Sequence, residues 1–436
     1  MKVQSKKKNF NLTLPFRTGG EKLLQYIWQF QYFNQSELQT TTGESLQIVF
    51  PGKLNNNQGP DFTNAQIKVD DTTLVGSIEL HLKTSQWDEH GHSSDTNYKN
   101  VVLHVVLEND IAYSNIPVLE LQTRISNLLL DRYSNLMNAS GSIPCANAVS
   151  QVKNIIWHSW KERLVAERLT RKSSIVFKFL EENNVHWEES FWWMLARNFG
   201  MKVNSEAFES MARSISLKIL AKHKTQIHQL EALLFGQAGL LSNNFNEDYP
   251  RLLQKEYVFL KKKYRLNAIY NQVHFLRMRP GNFPTIRLSQ LAALIQNSAH
   301  VFSKVLVIDK LSEVKELFDI TANDYWHYHY QFDEPSSFKK KSMGIDMIDN
   351  IIINTIIPVL FAYGLYRKEE KYKTKAVLWL DELQAEVNSI TKGFVNLHLS
   401  NKSAFDSQAF IELKTQYCDQ RHCLRCAIGN AILKIT

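Results

Sequence analysis

Gly76-Ser77-Ile78-Glu79-Leu80-His81-Leu82-Lys83 is the stretch on which the reading of this chain turns. Strand side chains alternate between faces, so Ile78, Leu80 and Leu82 fall on one side and Glu79, His81 and Lys83 on the other. The apolar set predicts a core. The polar set predicts a face that binds something, because a carboxylate, an imidazole and an ammonium are costly to bury without partners. Outward from this strand, Leu46–Phe50, Phe62–Val69, Val101–Glu108 and Ile116–Gln122 show similar short β-type runs, punctuated by turns such as Asn55-Asn56-Asn57-Gln58-Gly59-Pro60. A helix is predicted ahead of them over Glu21–Phe33, after the Gly19-Gly20 break, with Leu23, Leu24, Ile27, Trp28 and Phe30 on one face.

Beyond Val152 the period changes from two to that of a helix. Segments such as Ile155–Phe179, Trp187–Phe199, Leu252–Met278 and Lys375–Asn388 space their apolar residues for one buried face. The chain has 436 residues, 44 % of them hydrophobic, with only 16 Gly and 10 Pro. Scarce helix breakers fit a largely helical protein, and the apolar content excludes a disordered or collagen-like one. The expected architecture is α+β: a mixed-sheet domain over residues 1–140, then a large all-α domain over 141–436. Met1 to Phe16 has no apolar signal core, and the most apolar run, Ile351–Leu360, is shorter than the roughly 20 residues a bilayer requires. A cytoplasmic protein without membrane contact is expected.

Asp61, at the start of the strand before Gly76–Lys83, can approach the Glu79 face. Two acids converging from paired strands suit a hard divalent cation, Mg²⁺ or Mn²⁺, with Lys83 or His81 to orient or deprotonate a water. A second constellation follows at once: Trp87, His90, His92, Asp95, Tyr98 and, on the next strand, His104. His90-x-His92 with Asp95 and His104 predicts an alternative transition-metal site and a His-based Zn/Fe hydrolase, since imidazole suits those ions. His104 alone also reads as a hydrogen-bonded sheet histidine.

Cys418, Cys423 and Cys426 are spaced C-x4-C-x2-C near the C-terminus, and the fourth cysteine, Cys145, lies about 270 residues earlier. In a cysteine-poor chain this predicts a metal site, structural Zn²⁺ or a [4Fe–4S] cluster, rather than disulfides. Buried free thiols are the plainer alternative.

The net charge is +8, unevenly placed. Residues 1–150 hold 12 Lys/Arg and 14 Asp/Glu, whereas Tyr257 to Ile308 contains no acid at all. Lys261, Lys262, Lys263, Arg277, Arg279 and Arg287 in that stretch, with aromatics between them, are candidate nucleic-acid contacts. A solvated charged face is the alternative.

The helix, the strands and the motifs Pro60-Asp61 and Glu79-Leu80-His81 together resemble the PD-(D/E)xK nuclease superfamily over about 110 residues. The resemblance implies a restriction-endonuclease-like core and metal-dependent hydrolysis of DNA or RNA, with Glu21 as accessory acid. His81 stands where that superfamily has Lys, which opens the alternative of a non-catalytic nucleic-acid-binding or scaffold protein. Longer phrases, among them Tyr26 to Phe33, Asn57 to Phe62, Tyr98 to Val106, Arg279 to Leu288 and Cys423 to Asn430, resemble an uncharacterised, mainly Bacteroidota family of unknown function. That second resemblance implies one architecture across nearly the whole chain.

Overall fold

The computed structural model describes residues 14–113, 115–267, 273–276, 278–298 and 300–434. The chain forms two compact units: residues 1–160 with 413–436, and residues 161–412. The division differs from a boundary at 140. Residues 141–160 and 413–436, expected in the helical domain, belong with the sheet, so all four cysteines lie in the first unit.

The first unit is built on a six-stranded mixed sheet. Helix α1 (Leu14–Gln29), broken at Gly20 where φ is +23°, precedes strands β1 (Leu46–Phe50), β2 (Lys53–Leu54), β3 (Phe62–Val69) and β4 (Thr72–Lys83). The short helix α2 (Gln86–Glu89), strands β5 (Val101–Glu108) and β6 (Val118–Glu120), and helix α3 (Asn127–Asn138) follow. The strand order is β1-β3-β4-β5-β6, with β2 paired to β3. β1, β3 and β4 run antiparallel, whereas β4 pairs parallel with β5, and β5 with β6. A parallel pair cannot be joined by a tight hairpin, so the chain must cross over between β4 and β5. Residues 84–100 make that crossover and carry His90 and His92.

The alternation read from β4 is realised. Ile78 and Leu80 are buried in a core shared with Leu23, Ile27 and Trp28 of α1, Leu103 and Val105 of β5, and Leu130 and Leu136 of α3. Burying each such side chain contributes about 1.5–3 kcal/mol. Glu79 and His81 occupy the opposite face, and they too are buried, at 6 % and 1 % exposure.

The second unit is mainly helical but not all-α, since His329–Gln331 and Glu334–Pro335 form a two-stranded hairpin. The helix expected over Leu252–Met278 ends instead at Tyr264, where Arg265 turns left-handed with φ +52°. The apolar run around Ile351 extends to a 23-residue helix, Ile345–Arg367, long and apolar enough by composition to cross a bilayer. In its most apolar window 72 % of the residues are buried inside the protein. Its Asn354 is explained by pairing, because the Oδ1 accepts a hydrogen bond from Lys172 at 2.8 Å.

Gly76 marks the tightest passage in the sheet. A Cβ there would lie 2.4 Å from the Asn100 carbonyl oxygen and 2.6 Å from Val102 Cγ1. Gly76→Ala is expected to lower stability by about 1–3 kcal/mol, the range for overpacking against atoms that cannot yield. The shift of the urea midpoint measures it.

Candidate metal centre

Four imidazoles and two carboxylates meet on the polar face of β4. Parallel pairing sets Glu79 directly opposite His104 on β5. His81 Nδ1 lies 2.9 Å from His104 Nε2, and His81 Nε2 lies 3.1 Å from His90 Nδ1 on the crossover. Glu79 Oε1 is 3.4 Å from His92 Nε2 and 3.6 Å from His81 Nε2. One ligand nitrogen from each of His81, His90 and His92 falls within a common 4.8 Å. With Glu79 beside them, these residues can hold one transition-metal ion through three nitrogens and an oxygen.

Asp61 borders the same centre. Its backbone N–H donates to Glu79 Oε2 at 3.0 Å, leaving Oε1 to face the histidines. Its own carboxylate accepts from Gln25 Nε2 at 2.7 Å and from the Leu80 N–H at 3.2 Å. Glu21 lies close enough for its charge to act on both Asp61 and Glu79. Gln25 was not foreseen as an anchor, although it stands four residues after Glu21 and so shares its helix face.

The crossover is fixed over the centre by aromatic packing. Tyr98 stacks on His92 with ring centroids 3.7 Å apart, and Trp87 packs edge-on to His92 and tilted against His104. Trp87 Nε1–H donates to Ser93 Oγ at 3.0 Å, which holds the turn.

Burial dominates the electrostatics. It pushes the Glu79 carboxyl up to about 8, with help from the Asp61 charge, and Asp61 up to about 6. It pushes His81 down to about 3 and His104 down to about 4, with neighbouring imidazoles adding to the effect. Tyr98 rises to about 12 for the same reason. At neutral pH burial therefore favours neutral rings at His81, His92 and His104 and a protonated Glu79. The Nε2 of His92 and the Nδ1 of His104 are buried without a hydrogen-bond partner.

Not every candidate joins this group. Asp95 accepts from the Asn97 backbone and side-chain N–H groups, both at 2.9 Å, and caps the turn Thr96–Tyr98. His104 shares the face but is engaged with the Nδ1 of His81, away from the trio of ligand nitrogens. Lys83 is half-buried and its ammonium bears electrostatically on Asp110. The Asp61–Glu79 pair and the histidines, read from the sequence as rival sets, lie side by side here, with Glu79 in contact with Asp61, His81 and His92.

The basic candidates lie in the helical unit. Lys262, Lys263 and Arg279 are exposed, and Lys261 is half-buried. Lys261, Lys262 and Lys263 form the last turn of Asp248–Tyr264, a position that also favours cations through the helix dipole. Arg287 points inward instead: it is 6 % exposed, with its guanidinium bonded to Gln290 and Asn282 at 2.8 and 2.5 Å. Arg277 lies outside the described residues.

A family profile described as a protein of unknown function, DUF2851, matches residues 21–389. The chain belongs to the DUF2851 family. No curated protein and no solved structure matches it. The DUF2851 span includes the whole candidate centre, from Glu21 to His104, together with Cys145 and most of the helical unit, and ends before Cys418.

Metal binding to this centre is expected to release about one proton per ion from Glu79 at pH 7, because protonated Glu79 must ionise to coordinate while burial already keeps His81 and His92 neutral. Titration calorimetry with Zn²⁺ in buffers of different ionisation enthalpy measures the release. A Glu79→Gln protein, lacking that proton, should show less.

Proposed function

We propose that this DUF2851 chain is a metal-dependent hydrolase whose substrate is the phosphodiester backbone of nucleic acid. The observation that carries the reading is the convergence of His81, His90, His92 and Glu79 on one point beside Asp61, on a buried strand face. A bound ion would supply Lewis acidity and a water of lowered pKa. The donor set favours Zn²⁺ or Fe²⁺ over Mg²⁺, which prefers an all-oxygen shell. His104, through His81 Nδ1, fixes the ring orientation and tautomer that leave Nε2 free for the ion. Asp61, held by Gln25 and the Leu80 amide, is the second acid at the centre and takes the role of proton acceptor.

The phosphodiester assignment draws support from the order of elements. A helix, antiparallel strands, a crossover and a parallel strand place an acid at the head of β3 and another within β4. Lys262, Lys263 and Arg279 add exposed cations in the helical unit. A second reading, a His-based metallohydrolase of a small ester or amide, is favoured by the burial of Arg287, which removes one of the cations a polyanion would need.

The purified chain, loaded separately with Zn²⁺, Fe²⁺ or Mn²⁺, should cleave single- or double-stranded DNA or RNA, and His81→Ala should lose both metal and cleavage. His104→Ala should weaken metal affinity about 10–100-fold, as loss of a residue that orients a ligand does. Cleavage of chromogenic esters but no nucleic acid would favour the second reading. No hydrolysis by any loaded form would overturn both.

Replacing Lys262 and Lys263 by Glu should weaken nucleic-acid binding similarly across sequences and flatten its salt dependence, because phosphate contacts release counterions. Fluorescence anisotropy at several salt concentrations reads both effects.

A further inference from the structure

The four cysteines fall outside the hydrolase reading, yet the fold gathers all of them. Cys145 follows Pro144 in the turns after α3, and Cys418 ends the helical run that begins at Ala404. Cys423 opens a 3-10 turn, and Cys426 directly precedes helix Ala427–Lys434. Together with Pro144, Tyr417 and the start of that last helix, they line one pocket. Cys418, Cys423 and Cys426 are buried and Cys145 is half-buried. None is in a disulfide.

The segment is built to present these sulfurs. Arg421, between Cys418 and Cys423, donates to the Ala139 and Leu136 carbonyls at the end of α3, tying the loop to the residues leading to Cys145. Gly429 lets the final helix lie against the loop, since a Cβ there would come within 2.2 Å of the Cys423 carbonyl oxygen. Burial pushes the Cys426 thiol up overall, while the backbone N–H groups of Gly429 and Ile428, directed at its sulfur, act the other way. Amides aimed at a sulfur favour its thiolate, the form a metal requires.

Size separates two occupants. A single tetrahedral Zn²⁺, with Zn–S near 2.3 Å, needs its four sulfurs about 3.8 Å apart. Among the described residues the set of three ligand atoms lying mutually within 4.8 Å is the histidine trio, so no three cysteine sulfurs come that close. Four sulfurs spread around an apolar cavity match a cubane, whose irons are each bound by one cysteine. We propose that Cys145, Cys418, Cys423 and Cys426 hold a [4Fe–4S] cluster that joins the C-terminal segment to the turns after α3. The cluster is separate from the histidine centre and does not depend on the hydrolase reading.

The full chain, expressed with iron and sulfur supplied and purified anaerobically, should contain about four iron and four acid-labile sulfide per chain. It should show broad visible absorption that dithionite bleaches. Cys145→Ser and Cys423→Ser should each lose most of the sulfide and the absorption. His81→Ala/His92→Ala should retain both, which separates cluster iron from any iron at the histidines. One zinc per chain without sulfide, or four titratable thiols without metal in the anaerobic wild-type protein, would overturn the proposal. Both results are read on the wild type, so they stand even if a serine variant fails to fold.

Discussion

The burial of Glu79 and His81 on β4 is the constraint on which the first unit depends. Taking a carboxylate and an imidazole out of water is expensive, and the cost is met only where every free electron pair or proton finds a partner. The structure provides those partners from four directions: the Asp61 amide, His104 on the adjacent strand, and His90 and His92 on the crossover. Parallel pairing of β4 with β5 is what sets His104 beside Glu79, and the same pairing obliges the chain to travel over the sheet between the two strands. That obligatory segment carries exposed His90 and half-buried His92, with Trp87 and Tyr98 packed against His92. One topological choice thus creates both the histidine cluster and its cover.

The other face of the same strand explains why the arrangement is affordable at all. Ile78 and Leu80 belong to a continuous core with α1 and α3, and that core extends to Cys423 and Leu433 from the end of the chain. The C-terminal residues are therefore part of the sheet unit by packing as well as by the Arg421 contacts to α3. The histidine cluster and the four cysteines are both carried by elements packed on a single hydrophobic core.

Much of this was legible in the residues. β1, β3 and β5 were read with their observed ends because alternation and the turns between them are local properties. The inward face of β4 followed from the same rule. His90-x-His92 with His104 already pointed toward imidazole chemistry, and C-x4-C-x2-C already grouped three thiols. Several features were not legible, for identifiable reasons. Helix Leu252–Met278 was overextended because its apolar spacing continues past Tyr264, whereas the backbone of Arg265 reverses there. Arg287 looked like a surface cation because charge is usually solvated, yet Asn282 and Gln290 on its own turn and helix accept from its two terminal nitrogens in the interior. Gln25 is an unremarkable amide until its helix is laid beside Asp61.

By itself the sequence determined the class of fold, the polar face of one strand and the kinds of ligand atom present, since periodicity and side-chain chemistry are fixed by local composition. Only the tertiary structure decided that the Asp61–Glu79 pair and the histidines form one centre rather than two competing ones, because strand direction is invisible in a pattern that reads the same for parallel and antiparallel pairing. Only the tertiary structure, likewise, brought Cys145 to a trio that begins 273 residues later. Long-range closure depends on what a segment can bury elsewhere, and neither spacing nor charge along the chain encodes it.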